Sequence, residues 1–230
     1  MRVKHLVISR VAIRWRYKET GLLWGDWLEN SFYLFNAYCR PSLKNQTNQD
    51  FTLLSFVDES VTEFGNVLDN EEIVFVKSSD NVGKILSDYI NVYVDKIKND
   101  YEYVILTRID RDDCLKNDFI EIVKKHLIIE PIINKYIDLY HLFIYDSINK
   151  KMYDSNQYND MISPFVSTIE KIENGKIPCT SLMTLHPKIG EKLNGEKLEN
   201  LLAVQVIHEY NLMNGINGNV VEYDIRNFNK

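Results

Sequence analysis

The chain has 230 residues, 45% of them hydrophobic, with a formal net charge of −6 and a sequence pI near 5.4. This suits one large α/β domain with a real apolar core, and the acidic balance argues against a nucleic-acid binder, which would carry a basic stripe. Cys39, Cys114 and Cys179 are far apart and form no C-x-x-C pair, so they read as free thiols of a reducing, cytoplasmic compartment rather than a disulfide framework or zinc site.

The N-terminal run MRVKHLVISRVAIRW is broken by Ser9, Arg10 and Arg14. It is too short and too charged for a signal peptide or a membrane span, and no other segment reaches about 18 apolar residues. Any membrane association is therefore expected to be peripheral. Within that run His5–Ser9 is a short β-type stretch. Asp26 to Leu43 reads as a helix, because Trp27, Leu28, Phe32, Leu34, Phe35 and Tyr38 recur at three- and four-residue steps. Pro41 is expected in its last turn or just beyond. Phe51–Val57 and Ile73–Val76 read as strands, Gly83 to Lys98 as a helix, and Tyr101–Thr107 as a strand running into RIDRDD. Phe119 to His126 begins another helix with Asp118 as a candidate N-cap.

The second half is less regular. Leu139–Tyr145 and Lys151–Tyr153 suggest a hairpin around Ser147-Ile148-Asn149-Lys150, Pro164 to Glu173 and Glu199 to Val206 look helical, and Val220–Tyr223 is a short β-run. Strands alternating with helices predict an α/β fold, Rossmann-like, with a mostly parallel central sheet flanked by helices. No repeat or linker divides the chain, so residues 1–230 read as one domain. Ligands of such sheets bind beyond the carboxyl ends of the strands, where Asp58 and the Asp110–Asp113 cluster are expected.

In an extended segment, residues i and i+2 project to one side. Asp110 and Asp112 would then form a pincer for a hard divalent cation, Mn²⁺ or Mg²⁺, which takes oxygen ligands and commonly also substrate phosphate. Such a cation neutralises the charge that builds on a departing diphosphate. The same string would also suit a solvated turn or a helix N-terminus.

Five segments together resemble the putative rhamnosyltransferase family, a glycosyltransferase group with the GT-A fold. They are HLVISR, LFNAYCRPSLKNQTNQDFTLLSFVDE (Leu34–Glu59), RIDRDDCL (Arg108–Leu115), SPFVSTIE (Ser163–Glu170) and VQVIHEYN (Val204–Asn211). The resemblance implies a GT-A-like fold, a nucleoside-diphosphate sugar donor, and transfer to a hydroxyl of a glycan, lipid-linked or protein acceptor. It further implies that residues 1–113 form the nucleotide-sugar-binding half and residues 114–230 the acceptor-binding half.

Carried over by residue, the resemblance implies that Asp110, Asp112 and Asp113 occupy the acidic motif, with Asp112 and Asp110 on the metal and Asp110 and Asp113 also near the donor. Asp58 is either a carboxylate on the nucleotide or a turn residue. Arg10 and Arg108 are either phosphate ligands or ion-pair partners. His208 is a candidate third metal ligand, although Glu209 and Tyr210 stand where the family carries small residues. His186 is a second candidate nearer the acceptor side. An inverting reaction needs a general base; Glu170, Glu209, Asp146 and Asp160 are available, and Glu170 is favoured because it lies in SPFVSTIE. A nucleotidyltransferase would also use paired aspartates, but HLVISRVAIRW lacks the glycine-rich phosphate loop expected of one. A non-catalytic glycan- or nucleotide-binding protein on a transferase fold is the non-enzymatic alternative.

Overall fold

The N-terminal apolar run forms β1 (Val3–Ala12), and its side chains are buried on both faces. The computed structural model describes every residue except 15–16, 66, 78–80, 130–134, 159, 212–214 and 229–230. After β1 come α1 (Trp24–Leu34), α2 (Arg40–Lys44), β2 (Thr52–Asp58), β3 (Glu71–Val76), α3 (Val82–Ile97), β4 (Tyr103–Asp110) and β5 (Cys114–Leu115). Then follow α4 (Phe119–Ile129), β6 (Lys135–Leu139), β7 (Leu142–Asp146), β8 (Lys151–Ser155), β9 (Ser167–Lys171), α5 (Thr180–Met183), β10 (Asn194–Leu198), β11 (Ala203–Ile207), β12 (Asn219–Val221) and α6 (Ile225–Phe228).

The main sheet has seven strands in the order β10-β6-β9-β4-β1-β2-β3. Only β9 runs against its neighbours β4 and β6; the other pairings are parallel. The protein is therefore an α/β fold with a mostly parallel central sheet. Alternation along the strands divides the core. Leu6, Ile8, Leu54, Phe56, Val104 and Leu106 meet the Val82, Leu86, Ile90 and Val94 stripe of α3. Val7, Val11, Leu53, Val57, Ile105 and Ile109 share the opposite core with Trp27 of α1 and with Phe119, Val123 and Leu127 of α4. Burying each such side chain contributes roughly 1.5–3 kcal/mol.

The helix expected from Asp26 to Leu43 runs from Trp24 to Lys44, but a π turn at Phe35–Cys39 joins α1 to α2. Pro41 explains the turn. It has no N–H, and its ring would meet the carbonyl of Ala37 in a regular α-helix. Just before it, the Arg40 N–H reaches Phe35 O instead, which takes one extra residue into the turn. The helix after the motif is capped differently from expectation. Gln46 Oε1 accepts the Ile120 N–H at 3.0 Å, whereas the Asp118 carboxylate accepts from Lys116 Nζ.

Two helical expectations are corrected. Pro164–Glu173 contains β9, and Glu199–Val206 runs into β11. Both strands are buried almost throughout, so no alternation distinguishes them from a short helix, while β-branched Val166, Thr168, Ile169, Val204, Val206 and Ile207 favour a strand. The hairpin forms as expected, β7 against β8. It belongs to a second sheet, β12-β8-β7-β11-β5, in which β11 pairs with β5 immediately after the motif. The two halves of the chain share the main sheet, since β6, β9 and β10 all come from beyond Asp113.

Candidate active site

β1 and β4 lie side by side in parallel register, with Arg10 opposite Asp110. On one face of these strands the apolar series Leu6–Ile8 and Val104–Leu106 gives way to Arg10, Arg108 and Asp110 at the carboxyl end. The pleat thus carries the charged groups out of the α3 core into a cleft of about 580 Å³. Arg10 Nη2 donates to Asp110 Oδ1 at 2.5 Å. Burial alone would raise the Asp110 carboxyl, but Arg10 and Arg108 outweigh it and hold the group at about 2. Arg108 donates to the carbonyl of Ser181 at 2.9 Å. Burial, reinforced by Arg10, lowers its guanidinium to about 10, so it stays cationic at neutral pH.

The strand ends at Asp110, so Asp110 and Asp112 do not lie on one extended segment. The Asp113 N–H returns to Asp110 O at 3.1 Å, closing a turn over Arg111 and Asp112. Asp110 consequently faces Arg10, whereas Asp112 faces His208. β5 delivers this second pairing by running antiparallel to β11, whose last residue precedes His208. His208 Nε2 lies 3.0 Å from Asp112 Oδ2, and Asn211 Nδ2 lies 3.4 Å from the same oxygen. The Tyr210 N–H donates to His208 Nδ1 at 3.2 Å. That leaves Nε2 as the protonated nitrogen, donating to Asp112.

Asp113 is turned inward instead. It is 3% exposed and accepts the Val206 N–H at 3.0 Å. Burial, then the charges of Asp112 and Asp110, push its carboxyl well above the usual range. It ties the turn to β11.

Arg10, Arg108, Asp110, Asp112 and His208 all line the cleft. Asp58 and Glu170 are not among the cleft-lining residues. Asp58 accepts the Ser60 N–H and Oγ–H and pairs with Arg14 Nε at 3.3 Å. Glu170 is the larger departure. It sits opposite Val104 in the β4–β9 register, near the start of β4 and away from Asp110. It is fully buried and accepts the N–H groups of Cys179 and Thr180 at 2.6 and 2.7 Å. Those bonds hold the left-handed Cys179 (φ 53°) that starts α5. Glu170 thus shapes a cleft wall from behind and has no face towards a substrate. Among the other candidate bases, Asp146 is occupied by the Ile148 and Asn149 N–H groups of the hairpin turn, and Asp160 and Glu209 are exposed outside the cleft lining.

Several groups in the cleft were not anticipated from sequence. Arg111 lies 4.7 Å from the Trp27 ring centroid, Trp27 stacks on Trp24 at 5.2 Å, and Arg14 covers Trp24 at 4.6 Å. This guanidinium–indole–indole–guanidinium column runs from the Asp58 side to the acidic turn. Arg111 Nε and Thr184 Oγ1 are buried with no hydrogen-bond partner among the described residues. His186, expected only as a lesser candidate ligand, lines the cleft with Tyr158 and Gln205. The clustering of WRYKETGLLWGDW before the first long helix was the available cue to the aromatic column.

The donor set of Asp110, Asp112 and His208 has the chemistry a hard divalent cation takes, two carboxylates and an imidazole. Among the described residues, however, no three His, Cys, Asp or Glu side chains are clustered as a cation site. The two carboxylates are separately engaged, and the His208 tautomer leaves no lone pair on Nε2.

The mostly parallel sheet carries an arginine-rich cleft at its carboxyl edge, where α/β proteins of this kind take their ligands. Residues 14–136, more than half of the chain, match the family described as putative rhamnosyl transferase. The chain belongs to this family, and thereby to the glycosyltransferases. It is also similar to structures of S. aureus TarS 1–349. The complex with UDP aligns with TM-score 0.43 and 10% identity over 90% of this chain and 61% of that one. The complex with UDP-GlcNAc aligns with TM-score 0.45 and 12% identity over 90% and 59%. The chain thus spans about three-fifths of those structures. Comparison with curated proteins finds no match.

Proposed function

We propose that the cleft binds a nucleoside-diphosphate sugar and that the protein transfers its sugar, with inversion, to a hydroxyl of a glycan, lipid-linked or protein acceptor. The observation that carries this reading is the convergence of Arg10, Arg108 and Arg111 beside Asp110 and Asp112 at the ends of β1 and β4. A diphosphate matches this surface. Guanidinium groups bind phosphate through paired N–H donors, and their partial burial in the cleft strengthens each contact. In this reading Arg10, Arg108 and Arg111 hold the diphosphate, and Arg10 exchanges part of its bond to Asp110 for the ligand. Asp110 then accepts from donor hydroxyls. Asp113 fixes the turn, and Asp58 anchors Arg14 at the far end of the aromatic column.

Mn²⁺ or Mg²⁺ would be held by Asp112 and Asp110, with His208 joining only if the Tyr210 N–H leaves Nδ1 and the ring proton moves there from Nε2. When bound, the ion neutralises charge on the leaving diphosphate. The residues from β6 onward supply Tyr158, Thr184, His186 and Gln205, the side on which the acceptor would lie. The rhamnosyl label of the family makes a deoxyhexose donor the first to try, and three buried cysteines outside any disulfide fit a cytoplasmic setting. Release of nucleoside diphosphate from a panel of nucleoside-diphosphate sugars, with and without Mn²⁺, tests the proposal. Metal-stimulated release supports it; a protein that neither turns over nor binds any of them refutes it. Binding without turnover on any acceptor would favour a non-catalytic role.

A further inference from the structure

Inverting transfer needs a base for the acceptor hydroxyl, and Glu170 is out of reach. Four cleft-lining residues have acidic or imidazole side chains: Asp110, Asp112, His186 and His208. Asp110 is held by Arg10, and Asp112 and His208 hold each other. His186 differs. Its Nδ1 lies 2.5 Å from the carbonyl oxygen of Ile162. A carbonyl only accepts, so Nδ1 carries the proton and Nε2 carries the basic lone pair. Among the described residues, Nε2 meets no protein partner.

The ring is also firmly placed. Ile162 is followed by Ser163, whose N–H and Oγ–H both donate to Asp138 Oδ1 at 2.9 and 2.5 Å. His186 opens a 3₁₀ turn, His186–Glu191, with Pro187 in its first positions, and Ile189 of that turn packs on Ile162 in a small apolar cluster. The carbonyl that sets the tautomer and the turn that carries the ring are thus tied together on two sides.

We propose that His186 is the catalytic base of the transfer. This rests on the donor-site reading above and adds to it the group that activates the acceptor. Nε2 takes the proton of the acceptor hydroxyl as its oxygen bonds to the anomeric carbon. The bond from that carbon to the diphosphate oxygen breaks, and the nucleoside diphosphate leaves with the electron pair. The resulting imidazolium keeps its Nδ1–H on Ile162 and returns the new proton to solvent. Around the ring, Arg108 and Asp110 project from β4 and Asp138 from β6, and Lys188 and Glu191 share its own turn. Burial is the largest influence and, with Arg108, lowers the imidazole below its usual value, against the Ile162 bond, Asp110 and Asp138. The ring is therefore neutral and ready to accept at neutral pH.

The test pairs nucleoside diphosphate release from the donor panel, with water or a simple alcohol as acceptor, with binding of the free nucleoside diphosphates. For His186→Ala, turnover should fall by about 100-fold or more, while nucleoside diphosphate affinity stays within about twofold. Added imidazole should restore part of the rate, and the acidic limb of the kcat/KM profile should disappear. His186→Gln, which keeps an N–H for Ile162, serves if the alanine variant misfolds, with the same loss expected. Nitrogen-15 NMR of the wild type should show an Nδ1–H tautomer with unprotonated Nε2, and this result decides if water and alcohols prove too poor as acceptors. Wild-type turnover in either variant, or an Nε2–H tautomer, overturns the base assignment and leaves the donor site standing. A wild type that binds no nucleoside diphosphate overturns the donor-site reading itself.

Discussion

Arg111 lines the cleft, its buried Nε meets no hydrogen-bond acceptor among the described residues, and its guanidinium lies on the face of Trp27. Burial lowers its pKa, against the pull of Asp112 and Asp110. A half-buried guanidinium stacked on an indole, with its Nε–H unbonded, is prepared for an external acceptor. In the donor-site reading that acceptor is phosphate. Arg111→Met retains much of the stem but none of the donors. It should weaken nucleoside diphosphate binding by about 10-fold or more, as for loss of a charged hydrogen bond, and leave binding of the bare nucleoside unchanged, as measured by calorimetry. Equal loss for both ligands would mean that Arg111 only shapes the cleft.

At the scale of elements, the strands and helices before the motif were legible because each carried a local signal. α3 has an apolar stripe, β2 and β4 are apolar runs ending on charges, and Arg10, Arg108 and Asp110 mark where a buried face meets solvent. β9 and β11 resemble helix in sequence because runs of four and five buried residues have no usable period. β6 and β10 passed unread because KYIDL and NGEKL are mixed in character and gain strand geometry from pairing with each other. The grouping of Asp112 with His208 was anticipated from the motif blocks. The side chains that Glu170 and Asp58 actually meet depend on tertiary contacts the sequence does not encode locally.

Two long-range polar contacts hold these elements together and make separate predictions. Gln46 is buried, accepts the Ile120 N–H, and donates to the carbonyls of Ser42 and Lys116. Gln46→Ala should cost about 1–3 kcal/mol in urea unfolding, because it strands buried backbone groups; a change near zero would show that water replaces it. His5 links β1 to β4 and β9 through Thr107 and Ser167 at 2.8 and 2.7 Å. Burial first, then Lys124 and Lys4, lowers His5 from 6.5 to about 3. Between those values the unfolded chain binds the proton and the folded chain does not. Stability should therefore fall as pH drops from 6.5 towards 3, by a few kcal/mol at about 1.4 kcal/mol per unit. His5→Gln should flatten that limb of the Tm-versus-pH curve, and an unchanged limb would assign it to other groups.

For the whole molecule, a cut at Asp113 would divide the main sheet. Strands from both sides of the motif build one sheet, and β5 pairs with β11, whose Gln205 lines the cleft. This pairing brings His208 to Asp112 across 96 residues of sequence. The proposed site is thus a property of the assembled fold, sensitive to the turn that joins its two sheets. Among the described residues, no helix is long and apolar enough to cross a membrane. The most direct test is nucleoside diphosphate release from nucleoside-diphosphate sugars by the wild type and by Asp112→Ala in the presence of Mn²⁺. The account predicts release by the wild type and loss of at least about 100-fold in the variant, with circular dichroism unchanged. Equal release by the two proteins would contradict it.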